Sequence, residues 1–172
     1  MAGRFFLVAA CIAGLVPAAF GQLSNIDKAF VTDAAQSMNF QIHASLLANQ
    51  YSSNPEYRHY ALDIANAQTE NSGELQSTVA GQNTTMQIPS GVSPSGQRQL
   101  DALKNAKNVD DTFRSEMISS FSSTIRMYQH YIDQPDANEW LKKMAQGLLP
   151  QLEQQLEDAR NLGLAPQQSK SR

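Results

Sequence analysis

The chain has 172 residues, 41% of them hydrophobic and 17% charged, with a formal net charge of −3. That length suits one domain with a true core and is too short for two comfortable ones. The acidic balance excludes the basic patch that marks a nucleic-acid binder, and the polarity of the chain comes from Gln, Asn, Ser and Thr more than from ions.

The first segment reads as an address. Arg4 precedes an uncharged apolar run from Phe5 to Val16, and Pro17 then leads to Ala19 and Gly21. Small residues at those two places follow the order of a secretory signal, with cleavage after Gly21. The run is shorter than the ~20 apolar residues that span a bilayer. Cys11 closes a Val8-Ala9-Ala10-Cys11 box, but too few apolar residues precede it for a lipid-attachment signal, so it reads as signal filler. Residues 1–21 are therefore expected to be a signal peptide, with export to a bacterial periplasm or to the outer-membrane periphery. The expected mature chain starts at Gln22 and has no cysteine, which excludes thiol catalysis and Cys-ligated metals.

Ser24, with Asp27 three residues on, predicts a helix start. Ile26, Phe30, Ala34, Met38, Ile42 and Leu46 follow at close to the helical period. Asn54-Pro55 ends that helix and begins a second, striped by Tyr57, Tyr60/Ala61, Ile64, Gln68 and Leu75. A Gly-, Pro- and Ser-rich connection follows over about 81–109. It lacks aromatic anchors and is expected to be mobile, with a short helix over Gln97–Lys107. The third stripe is Phe113, Met117, Phe121, Thr124/Ile125, Tyr128 and Ile132, broken at Gln134-Pro135-Asp136. The fourth runs from Trp140/Leu141 to Leu162, and Pro150 inside it predicts a kink or a restart. Gly163 ends it. The expected fold is all-α: a four-helix bundle over 22–166, two antiparallel pairs joined by the long connection, with a polar tail at 167–172. A long crossover of that kind is the ferritin-like way of joining helix pairs.

In order and spacing, Phe30-Val31-Thr32-Asp33-Ala34-Ala35, Tyr60-Ala61 with Glu74-Leu75, Phe113 with Met117, and Leu149-Pro150-Gln151-Leu152 cover nearly the whole expected mature chain. In these segments the sequence resembles an exported bacterial ferritin-like family known as a domain of unknown function (number four-one-four-two), whose members often carry an outer-membrane label. The resemblance implies a Glu and several His on the inner helix faces, which are metal-ligand types. Matched by spacing, those places fall here on Gln41, Gln68, Ile125 and Gln155. A carboxylate or an imidazole binds a transition metal well; a neutral amide oxygen binds it weakly, and an isoleucine not at all. No metal and no other cofactor is therefore expected. Gln41 and Gln68 sit on otherwise apolar stripes, and buried amides need partners. They are expected to bond to one another or to a buried water.

Of the three histidines, His43 lies on the opposite side of its helix from Gln41, His59 faces solvent, and His130 sits near a helix end. Glu56 and His59 stand at Glu-x-x-His spacing, but His59 is on the solvent side; no His-x-x-x-His pair is present. Tyr51, Tyr57, Tyr60, Tyr128 and Tyr131 are expected to gather near helix ends. No glycine-rich phosphate loop, Gly-x-Ser-x-Gly elbow or metalloprotease helix occurs. The sequence thus points to a non-catalytic binding or envelope-associated scaffold whose partner is a protein of the cell envelope, with no transmembrane segment in the mature chain. The alternatives are a metal-binding or redox ferritin-like protein, with ligands drawn from His43, Glu74 and Glu116, and a small-ligand carrier with an interior cavity.

Overall fold

The computed structural model describes residues 22–82 and 84–164. The expected signal peptide at 1–21, the expected polar tail at 167–172 with the residues from 165 before it, and Asn83 lie outside the described residues. Among the described residues the chain is all-α, with five helices: α1 (Asn25–Tyr51), α2 (Pro55–Ala80), α3 (Pro94–Lys104), α4 (Val109–Ile132) and α5 (Glu139–Asn161). No helix among them is long and apolar enough to cross a membrane.

Each start carries its own chemistry. Ser24 and Asp27 cap α1 reciprocally, the Asp27 amide donating to Ser24 Oγ at 3.1 Å and the Ser24 amide to Asp27 Oδ2 at 2.8 Å. Asn54, Ser93, Asn108 and Asn138 cap the other four, each accepting a first-turn amide. Pro55 and Pro94 stand in first turns, where a missing N–H leaves no bond unmade. Gly163, at φ +74°, closes α5.

Four long helices pack in a ring, α1 against α2 and α4, α5 against α2 and α4. Neighbours around the ring run antiparallel. Asp27 meets Tyr131 while Gln41 meets Ser120, and Tyr60 meets Gln155 while Gln82 meets Asn138. The α2–α4 connection must therefore travel the whole length of the ring, ~36 Å for a helix of α4's length.

The connection, expected to be mobile, makes specific contacts with the bundle. Asn39 Nδ2 donates to the carbonyls of Pro89 (3.2 Å) and Gly91 (3.1 Å), and Met86, Ile88 and Val92 pack on the core. Its anchors are aliphatic and amide groups, which an inspection for aromatics passes over. The helix within it begins at Pro94, three residues earlier than expected, because Ser93 caps it and Pro94 favours its first turn. α3 buries Leu100 and Leu103 against α1 and α4.

Two further expectations need correction. The strict four-residue stripe of α1 advances about 40° per step and leaves the buried face. Ile26 and Leu46 are exposed and Ile42 only half-buried, while Val31, Ala35, Gln41, Ala44, Ser45 and Ala48 take the interior. Pro150 also does not restart α5, which is continuous across it. The bond lost is the one to the Gln146 carbonyl, and both residues lie on the exposed side, where water can serve that carbonyl.

Candidate functional site

The interior is apolar except at a few levels. Phe113, Phe121, Tyr128 and Leu141 are wholly buried, and Phe30 stacks on Tyr131 at 3.9 Å while meeting Tyr128 edge-on at 5.1 Å. Against this background Gln41 and Gln68 are both 0% exposed, and Gln155 and Ile125 are buried as well.

Helical spacing brings two of these four residues together. Gln68 on α2 donates Nε2–H to Gln155 Oε1 on α5 at 2.8 Å. Asn71, one turn along α2, donates to Gln68 Oε1 at 3.4 Å and to Gln151 Oε1 at 3.0 Å. Tyr60, two turns before Gln68, donates to the Gln155 carbonyl at 3.1 Å. The α2–α5 seam is thus a ladder of neutral side chains whose oxygens accept from their neighbours. Burial pushes the Tyr60 hydroxyl well above its ordinary range, with the Asp158 charge adding to the rise, so Tyr60 remains a donor.

Gln41 is separate. Its Nε2 donates to Ser120 Oγ at 2.9 Å and to Thr124 Oγ1 at 3.3 Å on α4. The expected Gln41–Gln68 bond is not formed: each amide is paired across a different helix seam. Gln41 Oε1, Ser45 Oγ and Tyr128 Oη are buried without a hydrogen-bond partner among the described residues. Such atoms cost about 1–3 kcal/mol each when desolvated. Ile125 brings no polar atom to the interior.

The other candidates are dispersed. His43 lies in a groove between α1 and α3, Glu74 in one between α2 and α5, and Glu116 accepts from Gln99 at 2.6 Å. His59 pairs with exposed Asp63 at 3.4 Å, and His130 contacts Gln134. No three His, Cys, Asp or Glu residues stand together in a metal-holding group among the described residues. The tyrosines form no single cluster. Tyr57 and Tyr60 are buried at the end holding the C-terminus of α5, Tyr128 and Tyr131 lie toward the opposite end, and Tyr51 is exposed.

One polar centre escaped sequence reasoning. Asp27 is 3% exposed, has no cationic partner among the described residues, and accepts from Tyr131 Oη (2.6 Å), the Asn138 amide (2.9 Å) and the Ser24 amide (2.8 Å). Burial alone pushes its carboxyl up, but the bonds from Tyr131, Asn138 and Ser24 outweigh it and hold the pKa below the usual carboxylate value. Burial and the Asp27 charge together push Tyr131 far up, so the phenol stays the donor. Ser24 and Asp27 reveal the cap in the sequence; nothing local reveals partners 104 and 111 residues away.

An all-α ring whose apolar interior is interrupted by a few hydrogen-bonded amides is the class of molecule these observations define. The family model described as "Domain of unknown function (DUF4142)" matches residues 15–162, and the chain belongs to that family. The crystal structure of a DUF305 fragment from Deinococcus radiodurans is similar, with a TM-score of 0.67 at 16% identity over 82% of this chain and 97% of that one. At that identity the likeness speaks for the fold alone. No curated protein matches the chain.

The donor set does not fit a ferritin-like metal. The amide oxygens of Gln68 and Gln155 already accept from Asn71 and Gln68, and no interior carboxylate or imidazole stands beside them. A divalent transition metal needs charged or nitrogen donors to offset its own dehydration.

Proposed function

We propose that the protein is a ferritin-like four-helix bundle that works without a metal centre, as an exported, non-catalytic binding or envelope-associated scaffold. The antiparallel ring and the connection that crosses its full length support the ferritin-like reading. The observation that carries the functional reading is the Gln68–Gln155 pair at 2.8 Å, which puts neutral, mutually bonded amides at two positions where the family resemblance implies imidazoles. Gln41 and Ile125 at the other two positions complete a site without ligand charge. With its interior closed to metal chemistry, the molecule acts through its outer surface, on a protein partner in the cell envelope.

Native mass spectrometry of the protein released from its own cells by osmotic shock tests this reading. The expected species is the chain beginning at Gln22, freed without detergent and free of metal. Full-length chain retained in the cytosol, or a mass raised by a bound metal ion, contradicts it.

A further inference from the structure

On the outer side of the ring, α1, α3 and α4 enclose an open groove of about 470 Å³, within the range of small-ligand sites. Its walls are rich in hydroxyls: Ser119, Ser120, Ser123 and Thr124 from α4, with Ser93 and Ser95 from the start of α3. Phe40 and Met127 supply its apolar surface. Among the described residues no Lys, Arg or His lines it, and Asp33 is its single ionisable group.

Two observations set this groove apart from an ordinary polar surface. Five of the six residues between Ile118 and Ile125 carry hydroxyls, although each is less favourable than alanine inside a helix. Ser119 and Ser123 are exposed, so the core gives no reason for them. The second observation is Gln41, wholly buried beside the α4 wall, with Oε1 unpartnered and Nε2 donating to Ser120 Oγ and Thr124 Oγ1. A hydroxyl that accepts there keeps its own hydrogen to donate. Thr124 is itself 3% exposed and donates to no other residue among those described. Ser123 Oγ likewise accepts from Arg126 (3.1 Å), which does not line the groove; Ser93 Oγ accepts from the Gly96 amide (3.1 Å) and shares one hydrogen with Ser95 Oγ (2.9 Å), which leaves that pair one hydrogen to donate. The α4 wall is therefore set as a row of donors, with one further hydrogen from the Ser93–Ser95 pair. Asp33 offers a carboxylate acceptor, and Gln99, whose Nε2 is committed to Glu116, offers its Oε1.

We propose that this groove binds a neutral saccharide. A sugar presents hydroxyl and ether oxygens to accept from the serine wall, hydroxyl hydrogens for Asp33 and Gln99, and a C–H face for Phe40 and Met127. An anion would meet Asp33 and no lining cation, and a purely apolar ligand would strand the hydroxyls. The proposal stands independently of the scaffold role, because it concerns an outer groove and not the amide interior.

The test is calorimetric titration of the full chain with neutral glucose, galactose and N-acetylglucosamine oligosaccharides of two to four units, with inorganic phosphate and galacturonate oligomers as anionic controls. At least one neutral oligosaccharide is expected to bind and the anions are not. The double substitution Ser119→Ala/Ser123→Ala keeps or improves helix propensity, and removing two hydroxyl contacts weakens binding about ten-fold. Gln41→Leu, which touches the groove only through Ser120 and Thr124, weakens it by a smaller factor with an unchanged circular-dichroism spectrum. Absence of binding by every neutral oligosaccharide up to ~10 mM overturns the proposal. So does binding that the double variant leaves unaltered, or preferential binding of an anion.

Discussion

Asp27 is the residue on which the most distant parts of the chain converge. Its carboxylate ties the start of α1 to Tyr131 on α4 and to the cap of α5. Because its folded pKa lies below the unfolded value of about 3.9, its stabilisation is fully present above that value. It is lost as pH falls through the folded pKa. Thermal unfolding from pH 7 to 2 therefore shows a drop below about pH 4. Asp27→Asn, which replaces one acceptor oxygen by a donor, loses ~1–3 kcal/mol at pH 7 and flattens that acid drop. An unchanged acid limb in the variant assigns the drop to other carboxylates. Ser45 is the opposite case: its buried hydroxyl has no partner, so Ser45→Ala is neutral or stabilising by up to ~1 kcal/mol. Gly163 is constrained twice, by its positive φ and by Tyr57, whose Oη would lie 2.5 Å from an added Cβ. Gly163→Ala is expected to lower stability by ~1–2 kcal/mol in a denaturant melt.

At the scale of elements, the four long helices were legible because caps and breakers are local. Ser24 with Asp27, Asn54-Pro55, Gln134-Pro135 and Gly163 each act within one turn. The buried face of α1 was less legible, since a four-residue repeat tracks the true period for only two or three turns. The anchoring of the crossover was not legible, because Asn39 and the carbonyls it holds are 50 and 52 residues apart. Asn39→Ala frees those carbonyls, and hydrogen exchange over residues 86–92 is expected to accelerate while α2 and α5 keep their protection. Equal acceleration in every helix means that the connection and the ring open together. The same limit governed the interior amides. The sequence marks Gln41, Gln68 and Gln155 as polar residues on apolar stripes, but the choice of partner depends on how α2 faces α5 and α1 faces α4. Gln68→Leu strands Gln155 Oε1 and removes an acceptor of Asn71, at ~1–3 kcal/mol. Adding Gln155→Leu recovers most of that loss, and a double-mutant cycle measures the coupling. Additive losses contradict the pairing.

At the scale of the whole molecule, the centre of the helical ring is finished with neutral side chains. Phe113, Phe121, Tyr128 and Leu141 fill it, and the amide ladder on the α2–α5 seam satisfies itself without an ion. A scaffold of that kind is stabilised by packing and hydrogen bonds, and is expected to gain nothing from the mass-action stabilisation that a bound metal gives a metalloprotein. The most direct measurement is elemental analysis of the purified protein together with its melting curve, recorded alone, with Fe, Mn or Zn, and with a chelator. Substoichiometric metal and one melting temperature under all conditions are expected. Near-stoichiometric metal, with a melting temperature that falls on chelation, contradicts the metal-free scaffold.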